Sequence, residues 1–262
     1  MNILCINVGN THCHVGRVQG KVTSQVQDFL TTDLGLQLPR LLSRHDYAGV
    51  SYCSVVPDAT AQLEAILHAT IAEKPFRLDH VDAPGLTITY PKPAEIGPDR
   101  LANAMGTQVV AQAPAIVIDT GTATTFDLVS AREGFIGGVI APGPAMMTQY
   151  LHEKTALLPQ LSPDELSDPG RIGRSTRDAM KLGCIIGFSG LITALLERCL
   201  AEFRERGEPE PALLATGGGS STWLKHVQAA IEYVPHLSLI GLAEAWQRAH
   251  GPEAKTLGLP PA

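Results

Sequence analysis

Two short segments constrain this chain more than anything else in it. Ile6-Asn7-Val8-Gly9-Asn10-Thr11 and Ile118-Asp119-Thr120-Gly121-Thr122-Ala123-Thr124 each follow an apolar run of β type and lead into another. Each reads as a strand, a tight glycine turn dense in hydroxyls and amides, and a return strand. Their starts lie nearly half the chain apart, and such repetition predicts two related halves facing across a cleft. Glycine permits close approach of a ligand and turn amides present partial positive charge, so paired hairpins of this kind suit phosphate oxygens. One Gly-Asn-Thr turn alone is most often just a turn; the repetition gives these two their weight.

Composition narrows the class of partner. The 262 residues are 44% hydrophobic, enough for a sizeable core in one large domain or two lobes. The net charge is −6 with no Lys/Arg run, so the basic footprint of a nucleic-acid binder is missing and a small molecule is the expected partner. Cys5, Cys13, Cys53, Cys184 and Cys199 form an odd set at irregular spacings, which argues for reduced thiols over a disulfide framework. Met1 leads straight into a strand without a charged leader or signal-type apolar region, and the expected location is the cytoplasm.

Periodicity predicts strands near 3–8, 12–18 and 21–27, a helix near 33–44, a strand at 48–55 and helices at 58–70 and 98–112. Pro114 marks the joint to the second half, dividing the chain into lobes 1–113 and 114–262. Strands recur at 115–119, 123–129 and 134–140, then helices at 144–154 and 176–203, a strand at 212–216, a helix at 221–230, a short strand at 231–234 and a final helix at 238–249. The β-β-β-α order thus appears twice, implying an α/β fold with a partly antiparallel sheet in each lobe. The 176–203 stretch holds Gly183, Gly187 and Gly190 in an apolar run bracketed by Lys181 and Glu197-Arg198. That run is short of the roughly 20 residues a bilayer span needs, so the expectation is a core or dimer-packing helix.

The chemistry concentrates at Gly97-Pro98-Asp99-Arg100, where an extended stretch gives way to a helix with Pro98 in its first turn. A carboxylate at Asp99 gains from the helix dipole and stays ionised, which suits a general base accepting a hydroxyl proton; the plainer alternative is an N-terminal Asp stabilising its helix with Arg100 as ion-pair partner. No segment matches the P-loop pattern, because Gly20-Lys21 is followed by Val22. His12-Cys13-His14 invites a metal reading, but in a strand the two histidines share one face and Cys13 takes the other. No spaced partner set completes a zinc site, so a cleft-lining or packing role is expected there.

Asn7-Val8-Gly9-Asn10-Thr11, Gly97-Pro98-Asp99-Arg100, the stretch from Asp119-Thr120-Gly121-Thr122 to Asp127, and Gly137-Gly138-Val139-Ile140-Ala141-Pro142-Gly143, in this order, resemble type III pantothenate kinases. The resemblance continues through Thr155-Ala156-Leu157-Leu158-Pro159, Gly173-Arg174-Ser175-Thr176 and Thr216-Gly217-Gly218. It implies the actin-like, sugar-kinase-like ATPase fold of two ribonuclease-H-like lobes related by internal duplication, assembled as a homodimer. It also implies transfer of the ATP γ-phosphoryl group to pantothenate, the first step of coenzyme A synthesis.

By that resemblance Asn7, Val8, Gly9, Asn10, Thr11, His12, Cys13 and His14 hold ATP phosphates and Thr122 contributes a further contact. Asp119 resembles the ligand of a monovalent cation, K+ or NH4+, and Mg2+ accompanies the nucleotide. Asp99 resembles the proton acceptor, with Tyr90, Gly97, Pro98, Arg100 and Thr176 matching pantothenate contacts, Thr176 reaching across the dimer. Residues 214–220 resemble the adenosine-side loop of the wider fold.

Two positions depart from the family pattern. Pro98 stands where alanine is common, and fits a helix start. Asn7 stands where the first motif opens with aspartate, so a charge is missing while the shape and one acceptor oxygen remain. That departure keeps a second reading open: a catalytically impaired homologue, like Bvg accessory factor, that binds nucleotide or pantothenate and acts as a regulatory or accessory protein.

Overall fold

A computed structural model describes residues 1–43, 47–162, 165–167 and 170–251. The chain divides into two compact units, the first formed by residues 1–113, 129–137 and those from His236 on, the second by 114–128 and 138–235. Besides the residues up to Ala113, residues 129–137 and His236–Gly251 thus pack with the first unit.

In the first unit, β1 (Ile3–Val8) is buried along its whole length, as its unbroken apolar run requires of a central strand. It pairs antiparallel with β2 (His12–Gln19) and parallel with β4 (Gly49–Ser54). β3 (Val22–Leu30) lies outside β2 with a bulge opposite Val15/Arg17, and the two-residue β5 (Phe76–Arg77) lies outside β4, giving the order β3-β2-β1-β4-β5. One face is covered by α1 (Leu34–Leu42) and α2 (Pro57–Thr70), which bury Leu34, Leu38, Leu42 and Ala59, Leu63, Leu67 at four-residue spacing. These side chains form one core with Leu4, Ile6, Val8 and Val15.

The other face is covered by α3 (Pro98–Val110) and α6 (Leu237–His250), the most extensively packed pair of elements. Their backbones touch: a Cβ added at Gly241 would collide with the Ala102 carbonyl, and one at Gly106 would come within 2.7 Å of the Leu237 carbonyl. No side chain fits in that contact, so glycine at both positions lets the two helices sit this close.

The second sheet repeats the first. Its order is β10-β9-β6-β7-β8, built from β6 (Ala115–Thr120), β7 (Ala123–Ser130), β8 (Gly134–Pro142), β9 (Ala212–Thr216) and β10 (Glu232–Tyr233). Strand for strand this matches the first sheet, with β6 in the place of β1 and β9, parallel to β6, in the place of β4. The duplication inferred from the hairpins is thus carried by topology. α4 (Pro144–Glu153) follows β8, and α5 (Thr176–Glu205) is one 30-residue helix capped by Ser175, whose hydroxyl accepts from Asp178 N–H.

By length and composition α5 could cross a membrane, with a mean hydropathy of 1.8 over its most apolar window. It nevertheless buries a single stripe, Cys184, Phe188, Ile192, Leu196, Cys199 and Phe203, as a core helix does. Gly183, Gly187 and Gly190 lie off that stripe and exposed, and a Cβ at Gly183 or Gly190 would meet nothing within 4 Å. Among the described residues, the nearest approach to these glycines is ordinary contact, Met147 Cε lying 3.9 Å from a Cβ at Gly187.

Other expectations need correction. The helix read over 221–230 is two short 3-10 turns, Gly218–Thr222 and Leu224–His226. Glycine and hydroxyl residues favour turns, and Ser220 Oγ donates to the Thr216 carbonyl at 2.6 Å. The helix read over 33–44 is a 3-10 turn, Thr31–Asp33, leading into α1, and its last predicted residue lies outside those described. β3 runs three residues beyond the predicted 27.

Gly241→Ala tests the backbone contact between α3 and α6. Forcing a methyl into a closed contact costs about 1–3 kcal/mol, so the urea midpoint of this variant falls clearly below that of the parent; an unchanged midpoint would mean that the helices are free to separate.

Candidate functional site

In both sheets the glycine turn singled out from sequence follows the carboxyl end of a central strand, β1 or β6, that has a parallel neighbour, a place where open α/β sheets hold ligands. In the first unit Gly9 N–H donates to the His12 carbonyl at 2.9 Å and closes the β1–β2 turn. Asn10, Thr11 and His12 are exposed on it and Gly9 is half-buried. Thr31 braces the turn from outside, its hydroxyl donating to the Gly9 carbonyl at 2.7 Å and its N–H to Thr11 O at 2.9 Å. The result is a fixed loop with polar groups turned outward.

Strand register explains what lies beneath the loop. Asn7 is paired with His14 on β2 and with Cys53 on β4, and His14 with Asp28 on β3. Directly paired residues present side chains to the same face, so Asp28, His14, Asn7 and Cys53 form one row across the sheet, on the face that α6 covers. Asn7 is only 8% exposed, yet both ends of its amide are bonded. Nδ2 donates to Ser238 Oγ at 3.0 Å and Oδ1 accepts from the Cys53 thiol at 3.3 Å.

Cys53 remains a thiol because burial pushes its pKa well above the ordinary value, and the Asp99 carboxylate, Cys13 and Cys5 add to the shift. The start of α3 lies near the foot of the hairpin, since Val55 N–H donates to the Val8 carbonyl at 3.1 Å and a Cβ at Gly97 would lie 3.7 Å from Val55 Cγ1. Burial, with Asp28 adding to it, likewise lifts the Cys13 thiol to about 12. All five cysteines are free and buried.

Asp99 is half-buried in the first turn of α3. Arg100 N–H donates to its Oδ1 at 2.9 Å, orienting the carboxyl group. Gly97 is needed beside it, since a Cβ there would lie 2.5 Å from the same oxygen. Pro98 occupies the first helical position. Arg100 and Tyr90 meet on one buried ring: the guanidinium carbon lies 5.4 Å from the Phe135 centroid, and Tyr90 packs edge-on at 6.3 Å. Phe135 is held by pairing with the 87–89 segment, its N–H donating to Thr87 O at 2.8 Å and its carbonyl accepting from Thr89 N–H at 3.0 Å. A groove of about 540 Å³ borders the turn, lined by Gly97, Pro98, Ser54, Thr60, Glu64 and Arg77.

In the second unit Gly121 and Thr122 are exposed on the β6–β7 turn, where Gly121 N–H donates to the Ala123 carbonyl at 2.9 Å. Asp119, the penultimate residue of β6, is paired with Thr216 on β9. The glycine loop after β9 lies directly on it, since a Cβ at Gly217, whose φ is +84°, would come within 2.5 Å of Asp119 Oδ1. The buried Trp223 indole N–H donates to Thr120 Oγ1 at 3.0 Å and fastens this loop to the hairpin. Thr176 is the exposed first residue of α5.

The first unit therefore brings together the hairpin 7–14, Asp99 and the trio Tyr90, Phe135 and Arg100; the second brings together Asp119, the Thr122 turn and the 217–219 loop. Sequence reading missed Cys53, Ser238 and Phe135. Cys53 was open to discovery only through strand register, while Ser238 and Phe135 carry no local signal.

Removing the Ser238 hydroxyl leaves the Asn7 amide donor buried without its acceptor. Such a group costs about 1–3 kcal/mol, so Ser238→Ala unfolds at lower urea than the parent; equal midpoints would show that the bond does not hold Asn7.

The sequence model described as type III pantothenate kinase matches residues 3–198. A type III pantothenate kinase of Frankia alni is 35% identical over 254 residues, covering 94% of this chain and 99% of the relative. One of Methylacidiphilum infernorum is 36% identical over 225 residues, covering 83% and 78%. Among solved structures, a Campylobacter jejuni protein assigned to the Baf family of transcriptional activators aligns with a TM-score of 0.60 at 18% identity, covering 94% of this chain and 98% of that one. The activator of 2-hydroxyisocaproyl-CoA dehydratase from Clostridium difficile with bound ADPNP aligns at 0.54 and 12%, covering 98% and 97%. MreB5 of Spiroplasma citri bound to ADP aligns at 0.50 and 11%, covering 98% of each chain. At these identities the structural likenesses speak to fold alone, and the fold is the actin-like, sugar-kinase-like ATPase fold.

Proposed function

The chain belongs to the type III pantothenate kinase family, and we propose that the residues gathered in its two units are the working parts of that activity. As a member it is an ATP-dependent kinase that transfers the γ-phosphoryl group to the hydroxyl of pantothenate, giving 4'-phosphopantothenate for coenzyme A synthesis. The observation that carries the residue assignment is the connected set at the foot of the hairpin: Cys53 is bonded to Asn7, Val55 N–H donates to the Val8 carbonyl at 3.1 Å, and a Cβ at Gly97, beside Asp99, would lie 3.7 Å from the Val55 side chain.

In this reading Asn7, Val8, Gly9, Asn10, Thr11, His12, Cys13 and His14 form the phosphate-binding hairpin, whose exposed turn offers amides and hydroxyls to phosphate oxygens. Thr122 supplies a contact from the second hairpin. Asp99 accepts the proton of the pantothenate hydroxyl as its oxygen forms the bond to the γ-phosphorus and the bond to the ADP oxygen breaks. Orientation of Asp99 by the Arg100 N–H fits that role. Tyr90, Gly97, Pro98 and Arg100 bind pantothenate, with Phe135 fixing the Tyr90 and Arg100 side chains, and Thr176 contributes from a second copy of the chain.

Asp119 holds the monovalent cation, K+ or NH4+, and Mg2+ arrives with ATP; both neutralise charge on the phosphates. The half-buried carboxylate at the end of β6, pressed by a glycine loop, is a suitable oxygen donor for a hard cation. The exposed glycine-bearing face of α5 supports a homodimer, because among the described residues nothing packs closely on Gly183 or Gly190. With α5 serving as a core helix, the protein works in the cytoplasm without a membrane or nucleic-acid partner.

Asn7 tunes this site without emptying it. A lost unit charge 4 Å from a partner is worth at most about 4 kcal/mol at an effective dielectric near 20, and outer-shell changes at metal sites cost roughly 10- to 100-fold. The fully bonded amide preserves the geometry that a carboxylate would give.

The test is 4'-phosphopantothenate formation from ATP and pantothenate in the presence of K+ and Mg2+, for the parent and Asp99→Asn. The parent turns over, and the variant loses about 10²- to 10⁴-fold in kcat, the usual worth of a positioned base. A parent without turnover removes the assignment, and a fully active Asp99→Asn variant moves the base elsewhere.

A further inference from the structure

The row across the first sheet ends in a group of residues of which the kinase reading gives a task to His14 alone, leaving Asp28 and His236 without one. Asp28 is paired with His14, whose Nδ1 lies 2.6 Å from Asp28 Oδ1. His236, at the entrance to α6, completes a trio: one ligand atom from each residue lies within 4.8 Å of the others. We propose that His14, Asp28 and His236 bind one divalent transition-metal ion, Zn2+ in the first instance, at a site separate from those of Mg2+ and the monovalent cation.

The donor set selects the ion. Two imidazoles and one carboxylate suit Zn2+, Co2+ or Ni2+, whereas Mg2+ and K+ favour all-oxygen sites. Zinc bonds of about 2.0–2.2 Å place neighbouring tetrahedral ligand atoms roughly 3.3–3.6 Å apart. The trio reaches that spacing by small side-chain rotations, which the exposure of the His14 and Asp28 side chains, 38% and 49%, allows. The fourth position opens to solvent beside the exposed His12, whose ring centroid lies 6.5 Å from that of His14.

His236 supplies the independent argument. It occupies the N-cap of α6 in the left-handed region, φ +56° and ψ +37°, yet its side chain makes no capping hydrogen bond. Helix N-caps favour Ser, Thr, Asp or Asn because those side chains do bond the first turn. Here a residue poorly suited to capping takes the position and presents its ring nitrogen to Asp28 and His14 instead. A bound ion would tie β2, the edge strand β3 and the start of α6 together, two residues from the Ser238 that bonds Asn7.

The experiment uses the full chain, freed of metal with chelator and kept without ATP and pantothenate, so that its outcome is independent of kinase activity. Zn2+ is titrated by calorimetry, and Co2+ by visible absorption. The proposal expects one equivalent bound, a cobalt spectrum of nitrogen and oxygen ligation, and a rise in thermal midpoint with Zn2+. Asp28→Asn and His236→Asn each weaken binding at least tenfold and abolish that rise; asparagine at 236 tolerates the left-handed backbone, and the Asp28 change is at a half-exposed side chain. Absence of binding, binding unaffected by both substitutions, or a thiolate-to-cobalt band indicating cysteine ligation would overturn the proposal.

Discussion

The close seating of α6 against α3 and the first sheet is the contact on which the first half of the site depends. Where Gly241 meets the Ala102 carbonyl and Gly106 the Leu237 carbonyl, the helices approach to backbone contact. The start of α6 is thereby lowered onto the sheet, and Ser238 reaches Asn7 while His236 reaches His14 and Asp28. A wider spacing would leave Asn7 buried with one end of its amide unpaired, at the full cost of desolvating that group.

The same arrangement explains how this member of the family accommodates a neutral residue at the head of its first motif. Asn7 is both donor and acceptor, and its surroundings are one of each: the Ser238 oxygen accepts and the Cys53 thiol, kept protonated by burial and by Asp99, donates. A carboxylate at this position could accept from both hydroxyl and thiol, but it would sit almost fully buried among cysteine sulfurs. The amide therefore matches its local hydrogen-bond partners, and what it forgoes, on the proposed assignment, is charge toward a metal accompanying ATP. Geometry and charge are separable here, since the turn above Asn7 is braced by Thr31 and not by Asn7 itself.

What was legible in the sequence was whatever lay in contiguous residues. Both hairpins, the start of α3 at Pro98 and the repeated β-β-β-α order follow from local turn chemistry and periodicity, and the sheet orders agree with them. Illegible were the partners supplied by pairing: Cys53 through the register of β1 and β4, Phe135 through its bond with the 87–89 segment, and Ser238 and His236 through the packing of α6. His14 showed no completing partners in sequence because Asp28 comes from an edge strand and His236 from the entrance to α6. The helix expected over 221–230 failed for a local reason, as Ser220 and Trp223 spend their polar groups on Thr216 and Thr120. The α5 glycines were read as a packing signal, yet their face is open within one copy of the chain.

The central claim is that Asn7 preserves the geometry of the phosphate site while withholding one negative charge from its metal. The most direct measurement is the Mg2+ dependence of phosphopantothenate formation by the parent chain and by Asn7→Asp. The account predicts turnover by both, with the aspartate variant reaching half-maximal rate at roughly 10- to 100-fold lower Mg2+. Identical Mg2+ dependence, or activity confined to the aspartate variant, would contradict it.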